Sequence, residues 1–309
     1  MTSNKSSEIF VSGASGWLGK ELISLISQKR LIDFTTNDLR LFSSNGRSIK
    51  LINSKEYLTS PFEVDQFEIK PKNLEGFIHL AFLTRDKLKT LNFNDFIRIN
   101  LELISKACQV IEQNTPRWIV LVSSGAILDR ESGELESDIE KNPYGFCKRI
   151  EELLLADAAK RVGANIVIGR LWGASGEQMP PNPEYALSDF IESARLKNEI
   201  QIKSGGKVFR RYLDAGEFME VLAKLAISGE SRVLNSGGEV IEIGELSQLV
   251  VGHFPGTSVS RSKSLTDIDD YYPKEQDFND LAKELGVELS TIKEQVARTV
   301  NGHIRQAMN

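Results

Sequence analysis

The chain has 309 residues, 40% hydrophobic and 26% charged, the composition of a folded globular protein with length for one large domain or a large domain and a smaller companion. A net charge of −5, from 38 basic and 43 acidic residues without a basic block, argues against a nucleic-acid surface. Two cysteines, Cys108 and Cys147, make no disulfide framework, and no apolar run approaches membrane-spanning length. Residues 1–7 are polar and lack the apolar core of a signal peptide, so a cytoplasmic, reducing location is expected. His79, His253 and His303 stand apart without metal-ligand spacing, and no metal is expected.

In chain order, residues 8–12 (Glu-Ile-Phe-Val-Ser) predict a short buried strand. Gly13-Ala14-Ser15-Gly16-Trp17-Leu18-Gly19 follows at once, and a helical pattern continues through Leu22, Ile23, Leu25 and Ile26. Glycines spaced by three let a backbone turn tightly and approach a pyrophosphate. The helix behind them offers free N–H groups and the positive end of its dipole. The string alone is weak evidence, but its place between a strand and a helix strengthens it; the alternative is a plain strand-to-helix turn.

A second strand is expected over 39–42. In NAD binders an acidic residue near the end of this strand commonly holds the ribose hydroxyls. Here Ser43-Ser44-Asn45-Gly46-Arg47-Ser48 follows, with no carboxylate. Ser43 and Arg47 suit a ribose phosphate, so NADP(H) is favoured and NAD(H) remains possible; an exposed turn with an incidental arginine is the alternative. Residues 49–74 predict irregular edge strands. Residues 75–82 predict a buried strand whose small Ala81 lets a cofactor pass close by. A long helix is expected over 94–112, then a strand over 118–122 ending in Ser123-Ser124-Gly125. Strand ends on this edge are where ligands bind in doubly wound sheets, which places Ser124 to meet a substrate oxygen. Two serines starting a turn is the plainer reading.

Asn142-Pro143 starts a helix as N-cap and first-turn proline, so Tyr144 sits in the first turn and Lys148, four residues on, shares its face. A cation beside a phenol favours phenolate and tunes the pair for proton transfer. A further strand is expected over 165–171. The alternation of strands and helices predicts an α/β fold, a Rossmann-like doubly wound parallel sheet. Residues 1–172 form the dinucleotide-binding core in this reading. Residues 173–309 form mostly a smaller C-terminal substrate-binding lobe, with some segments returning to the core. That lobe is expected to hold a loop over 173–184, a helix over 186–196, short strands near 200–203 and 208–213, helices from Asp214 and Ile243, and a last helix over 291–307.

These motifs, in this order, resemble the extended short-chain dehydrogenases/reductases, the NAD(P)-dependent epimerase/dehydratase group. The glycine turn Gly13, Ser15, Gly16, Trp17, Leu18 and Gly19 matches the cofactor turn of that group. His79-Leu80-Ala81-Phe82 is similar to its His-Leu-Ala-Ala strand end, Asn100 to its helix asparagine, and Val122-Ser123-Ser124 to the segment carrying a catalytic Ser or Thr. Tyr144 and Lys148 match its Tyr-x-x-x-Lys pair. Arg210 matches an arginine that contacts the diphosphate in nucleotide-sugar members, with Arg211 as the alternative. Asn235-Ser236-Gly237-Gly238 resembles its Asn-x-Gly segment.

The resemblance implies a Ser-Tyr-Lys triad. Tyr144 exchanges a proton with the substrate oxygen, Lys148 lowers the Tyr144 pKa and bonds the nicotinamide ribose, and Ser124, with Gly125 beside it, holds the substrate. Gly13, Ser15, Gly16, Trp17, Leu18, Gly19, Ser43, Arg47, Leu80, Ala81, Phe82, Asn100, Val122, Tyr144 and Lys148 are then the cofactor contacts. Ser124, Gly125, Tyr144 and Arg210 are the substrate contacts. The implied activity is reduction or epimerisation of a nucleotide-diphosphate sugar by a homodimer. Gly125-Ala126 stands where sugar dehydratases carry Asp-Glu, which disfavours loss of water, and Leu128-Asp129 stands where many epimerases carry Tyr-Gly. The alternatives are a reductase of a non-sugar carbonyl compound and a non-catalytic NAD(P)-binding regulator.

Overall fold

The computed structural model describes residues 8–31, 34–67, 74–130, 132–263, 268–275 and 277–308. In chain order the strands and helices are β1 (Glu8–Ser12), α1 (Trp17–Ser27), β2 (Leu39–Ser43), β3 (Ser48–Lys50), β4 (Glu56–Leu58), β5 (Ser60–Pro61), β6 (Leu74–His79), α2 (Phe93–Asn114), β7 (Trp118–Ser124), α3 (Pro143–Val162) and β8 (Asn165–Leu171). There follow β9 (Gly173–Ser175), α4 (Ala186–Lys197), β10 (Glu199–Ile202), β11 (Val208–Asp214), α5 (Ala215–Ile227), β12 (Arg232–Asn235), β13 (Glu239–Glu242), α6 (Ile243–Val251), β14 (Ser258–Arg261), β15 (Asp269–Asp270), α7 (Asp277–Glu284) and α8 (Ile292–Met308). The described residues form two compact units. The first runs to Leu171 and includes Met219–Leu234; the second holds Trp172–Phe218 and the described residues from Asn235 on.

The first unit is built on a seven-stranded sheet in the order β12-β8-β7-β6-β1-β2-β5, parallel from β5 through to β8. Its central strands are apolar at consecutive positions because helices cover both faces. Ile9, Phe10 and Val11 on β1 and Ile119, Val120 and Leu121 on β7 are fully buried. One core joins Phe10, Phe42, Phe67 and Phe77 to Ile104, Val110 and Ile111 of α2 and to Leu155, Ala158 and Ala159 of α3. Each such buried side chain contributes roughly 1.5–3 kcal/mol against exposure. The strand order reverses at β1, with β2 on one side and β6 on the other, and ligands bind beyond the carboxyl ends of the strands at such a point. The edge strands expected over 49–74 are present as the β3–β4 hairpin and as β5, paired with β2; residues 68–73 of that range lie outside the described residues.

In the second unit β11 pairs antiparallel with β13 and parallel with β9 and β15, while β10 pairs with β14. Its core gathers Leu187, Phe190 and Ile191 of α4, Leu246 and Val250 of α6, and Val296 and Val300 of α8. The loop expected over 173–184 starts with a strand instead. Three residues of β9 register against Tyr212, Leu213 and Asp214, too few to show a two-residue period. The helix expected from Asp214 starts one residue later, because the Asp214 carboxylate accepts the backbone N–H groups of Gly216 and Glu217.

Candidate active site

The glycine turn leaves β1 at Gly13, whose φ of +70° favours glycine; a Cβ there would lie 2.6 Å from the backbone of Leu80. Gly19 packs as closely on Ala14. Helix α1 starts at Trp17 with Gly16 as its N-cap; no side chain caps it and no acidic residue stands in its first turn. No side chain therefore competes for the positive dipole end of α1, and the turn fits a pyrophosphate. Ser15 is half-buried and accepts from Arg47 Nη2 at 3.4 Å, and the Trp17 indole donates to Glu21 at 3.1 Å. Leu18, Leu80 and Ala81 are half-buried around the turn.

Arg47 has a cationic neighbour that sequence reading missed. Burial, and then the charge of Arg47, pull the Lys20 ammonium below its ordinary pKa. Arg47 beside Ser15 is thus close enough to Lys20 for the two positive charges to act on one another. The Ser43 hydroxyl is buried and shares a 2.7 Å hydrogen bond with Thr59.

Ser124 ends β7, and its oxygen accepts the Ala126 N–H at 3.2 Å, which turns the chain through Gly125–Ile127. The N-cap of α3 grips that turn. Asn142 donates to the Ala126 carbonyl at 2.8 Å and accepts the Gly145 N–H at 2.9 Å. A Cβ at Gly145 would come within 2.0 Å of the Ala126 oxygen, so glycine lets the first turn of α3 press onto the end of β7. This sets the Tyr144 hydroxyl near enough to Ser124 for that serine to pull its pKa down.

Burial pushes the Tyr144 hydroxyl up, the Ser124 hydrogen bond pulls it down, and the Glu151 charge pushes it further up. The expected lowering by Lys148 is not seen, because that cation is already engaged. Lys148 is 5% exposed; its Nζ donates to Val122 O at 2.9 Å and to Glu151 Oε2 at 2.8 Å and sits 3.8 Å from the Phe82 ring centroid. Phe82 also meets Tyr144 edge-on at 5.8 Å, and Arg85 lies over the other ring contact of Tyr144 at 5.6 Å. Asn100 is fully buried; its Oδ1 accepts the Leu83 N–H at 2.8 Å and its Nδ2 is without a protein partner. Glu151 was not singled out from the sequence. The available signal was a carboxylate three residues after Lys148 on the same helix.

Arg210 lies on β11 in the second unit. It pairs with Asp269 Oδ2 at 2.5 Å, donates to the Asp269 and Phe209 carbonyls at 3.1 and 2.7 Å, and sits 5.9 Å from the Tyr271 ring. Tyr271 in turn packs on Trp172 at 4.8 Å. Arg211 is 5% exposed and donates to the Glu275 carbonyl. The Asn235-Ser236 segment is structural here. Asn235 accepts the Trp172 indole N–H at 3.0 Å and Ser236 accepts the Trp172 backbone N–H at 3.1 Å. Among the described residues no cluster of His, Cys, Asp and Glu could hold a metal ion, and no helix is long and apolar enough to cross a membrane.

The family model described as NAD dependent epimerase/dehydratase family matches residues 9–244. No curated protein matches the chain. Among solved structures, the UDP-N-acetylglucosamine 4-epimerase of Methanobrevibacter ruminantium, in complex with UDP-N-acetylmuramic acid, is similar at 21% identity and a TM-score of 0.75, over 97% of this chain and 99% of that one. A double mutant of DesIV, the dTDP-glucose 4,6-dehydratase of Streptomyces venezuelae with NAD bound, is similar at 16% identity and a TM-score of 0.73, over 96% of both chains.

Proposed function

The chain belongs to the NAD-dependent epimerase/dehydratase family, and from that premise we propose that it reduces or epimerises a keto group of a nucleotide-diphosphate sugar with a nicotinamide cofactor. The observation that carries the reading is that the buried Lys148, bonded to Val122 O near the end of β7, shares the Phe82 ring with Tyr144, on the strand edge that also bears Ser124 and the glycine turn. Similar folds are solved with NAD or with a UDP-sugar, which supports the cofactor and substrate class.

In this reading the N-terminus of α1 and the glycine turn hold the pyrophosphate. The bound nicotinamide supplies or accepts a hydride at the substrate carbon. Ser124 donates a hydrogen bond to the substrate oxygen, and Tyr144 passes that oxygen its proton. A phenol is protonated at neutral pH and can deliver its proton to a carbonyl oxygen in the reducing direction, or regain it from a hydroxyl in the reverse. Lys148, held between Val122 O and Glu151, offers its Nζ to bond the ribose. Lys20 and Arg47 favour NADP(H) by offering two cations to a ribose phosphate.

The test is incubation with candidate 4-keto nucleotide sugars while NADPH absorbance is followed. Stoichiometric loss identifies a reductase and product without loss an epimerase. Neither outcome, with a broad set of nucleotide sugars, sinks the reading. One observation favours a second reading, a reductase of non-sugar carbonyl compounds: the Arg210 guanidinium is already engaged by Asp269.

We also propose a homodimer through α2 and α3. Phe93 and Leu101 on the one and Leu153 and Leu154 on the other are 40–58% exposed. Sedimentation equilibrium that finds only monomer at micromolar concentration rules this out.

A further inference from the structure

Lys148 heads a buried chain of polar side chains that the proposed reaction does not use. Ser12 and His79 are 0% exposed and Glu151 is 1% exposed. Glu151 Oε2 accepts from Lys148 Nζ at 2.8 Å, and Glu151 Oε1 lies 3.3 Å from His79 Nε2. His79 Nδ1 lies 2.7 Å from Ser12 Oγ, which accepts the Leu80 N–H at 3.2 Å. The chain crosses from α3 through β6 to β1.

Its polarity follows from its far end. The Ser12 oxygen already accepts from Leu80, so its own hydrogen is free to go to Nδ1 of His79. The imidazole then carries its hydrogen on Nε2, which lies 3.3 Å from Glu151 Oε1 without forming a hydrogen bond to it, while the other Glu151 oxygen pairs with Lys148. Burying an isolated charge is costly, and each charge here has an opposite charge beside it. The last donor is a backbone N–H, which does not ionise, and every side chain in the line is buried. The line therefore offers protons no way out, and the clamp in it is the hydrogen-bonded ion pair by which Glu151 holds Lys148. Leu80 is also the residue whose backbone closes on Gly13, so the His79–Ser12 end of the line touches the glycine turn.

We propose that Glu151 is a positioning residue: it holds Lys148 in a buried ion pair and leaves Tyr144 beside a balanced pair in place of a bare cation. This rests on the roles proposed above for Tyr144 and Lys148. The ionisable groups around Glu151 are Tyr144, Cys147 and Lys148 on its own helix, His79 on β6 and Cys108 on α2. Burial first, and the Glu151 charge among later causes, push both thiols up to about 11. Arg85 and Asp86, between β6 and α2, act on Tyr144 with opposite signs, Arg85 downward and Asp86 upward.

The test uses the full chain without substrate. The chain holds six tyrosines, so the phenolate absorbance of Tyr144 is taken as the difference between a protein and its Tyr144→Phe counterpart. A stopped-flow pH jump reads it before the protein unfolds. In a Glu151→Gln background the Tyr144 curve is expected to move to lower pH; curves that superpose, with circular dichroism unchanged, overturn the proposal. Should Glu151→Gln fail to fold, Glu151→Asp keeps the charge but withdraws it by one methylene from Lys148. NADH binding is then expected to weaken several-fold, and an unchanged Kd overturns the proposal. Neither readout needs a substrate. A failure to turn over any nucleotide sugar would leave the clamp standing, and superposed titrations would leave the activity standing.

Discussion

The two units hold their charged side chains in opposite ways. On the strand edge of the first unit, Lys148 is buried and tied to Glu151, while the N-terminus of α1 carries no side-chain cap and no acidic residue in its first turn. On β11 of the second unit, Arg210 is only partly buried and is occupied by Asp269, a residue 59 positions away. A buried pair tolerates little change, since removing either partner strands the other away from water. A half-exposed pair can be opened by water, salt or a competing anion at small cost. The first arrangement is suited to fixed proton chemistry, the second to exchanging one carboxylate for another anion.

The largest effect expected on this contrast is at Tyr144. Tyr144→Phe keeps the ring against Phe82 and Arg85 and removes only the hydroxyl, so stability should change little. Turnover should fall by about 10²–10⁴-fold, the usual worth of a positioned proton donor. Turnover that survives the change with the fold intact would favour a non-catalytic regulator.

Next comes the buried pair. Lys148→Met should destabilise by roughly 3–5 kcal/mol because Glu151 is left charged and unpaired, and Lys148→Met with Glu151→Leu should recover most of that loss while remaining inactive. Chemical denaturation of the three proteins measures it. A double variant as unstable as the single one would show that the pair is not the source of the cost.

A smaller change is expected at Arg47. If it and Lys20 hold a ribose phosphate, Arg47→Ala should weaken NADPH binding by about 1.5–3 kcal/mol, a factor of ten to a hundred, and leave NADH nearly unchanged. Fluorescence titration with both cofactors decides it. Equal losses for the two would remove the preference for NADP(H).

What could be read without the structure divides along the same line. The strand–glycine–helix turn, the Asn142-Pro143 start of α3 and the apolar strands are local patterns, so the first unit was legible almost element by element. That Tyr144 and Lys148 lie on one helix four residues apart was legible through the Asn-Pro start and the spacing. Glu151 was not, because its meaning depends on His79 and Ser12, which precede it by 72 and 139 positions and meet it only once β1 and β6 are paired with α3 packed over them. Lys20 hid for the same reason, since Arg47 comes beside it only through the turn after β2. The three-residue β9 was too short for any period to show. Side chains that serve a site through distant partners leave no spacing to detect.

The smallest expected effect lies at Asp269. Its pair with Arg210 is 38% exposed on the carboxylate side, so Asp269→Asn should cost at most about 1 kcal/mol of stability. Its effect on binding carries more information. If Arg210 serves a diphosphate, releasing it from Asp269 should tighten binding of a nucleoside diphosphate, and Arg210→Ala should abolish that gain. If the substrate is a non-sugar carbonyl compound, both variants should bind nucleoside diphosphates as weakly as the parent. Isothermal titration with UDP and dTDP at low and high salt separates the two, because the contribution of a freed, partly exposed guanidinium should shrink as salt rises. A salt-independent gain would point to a rearranged pocket, and Arg210 would then lose its claim to the diphosphate.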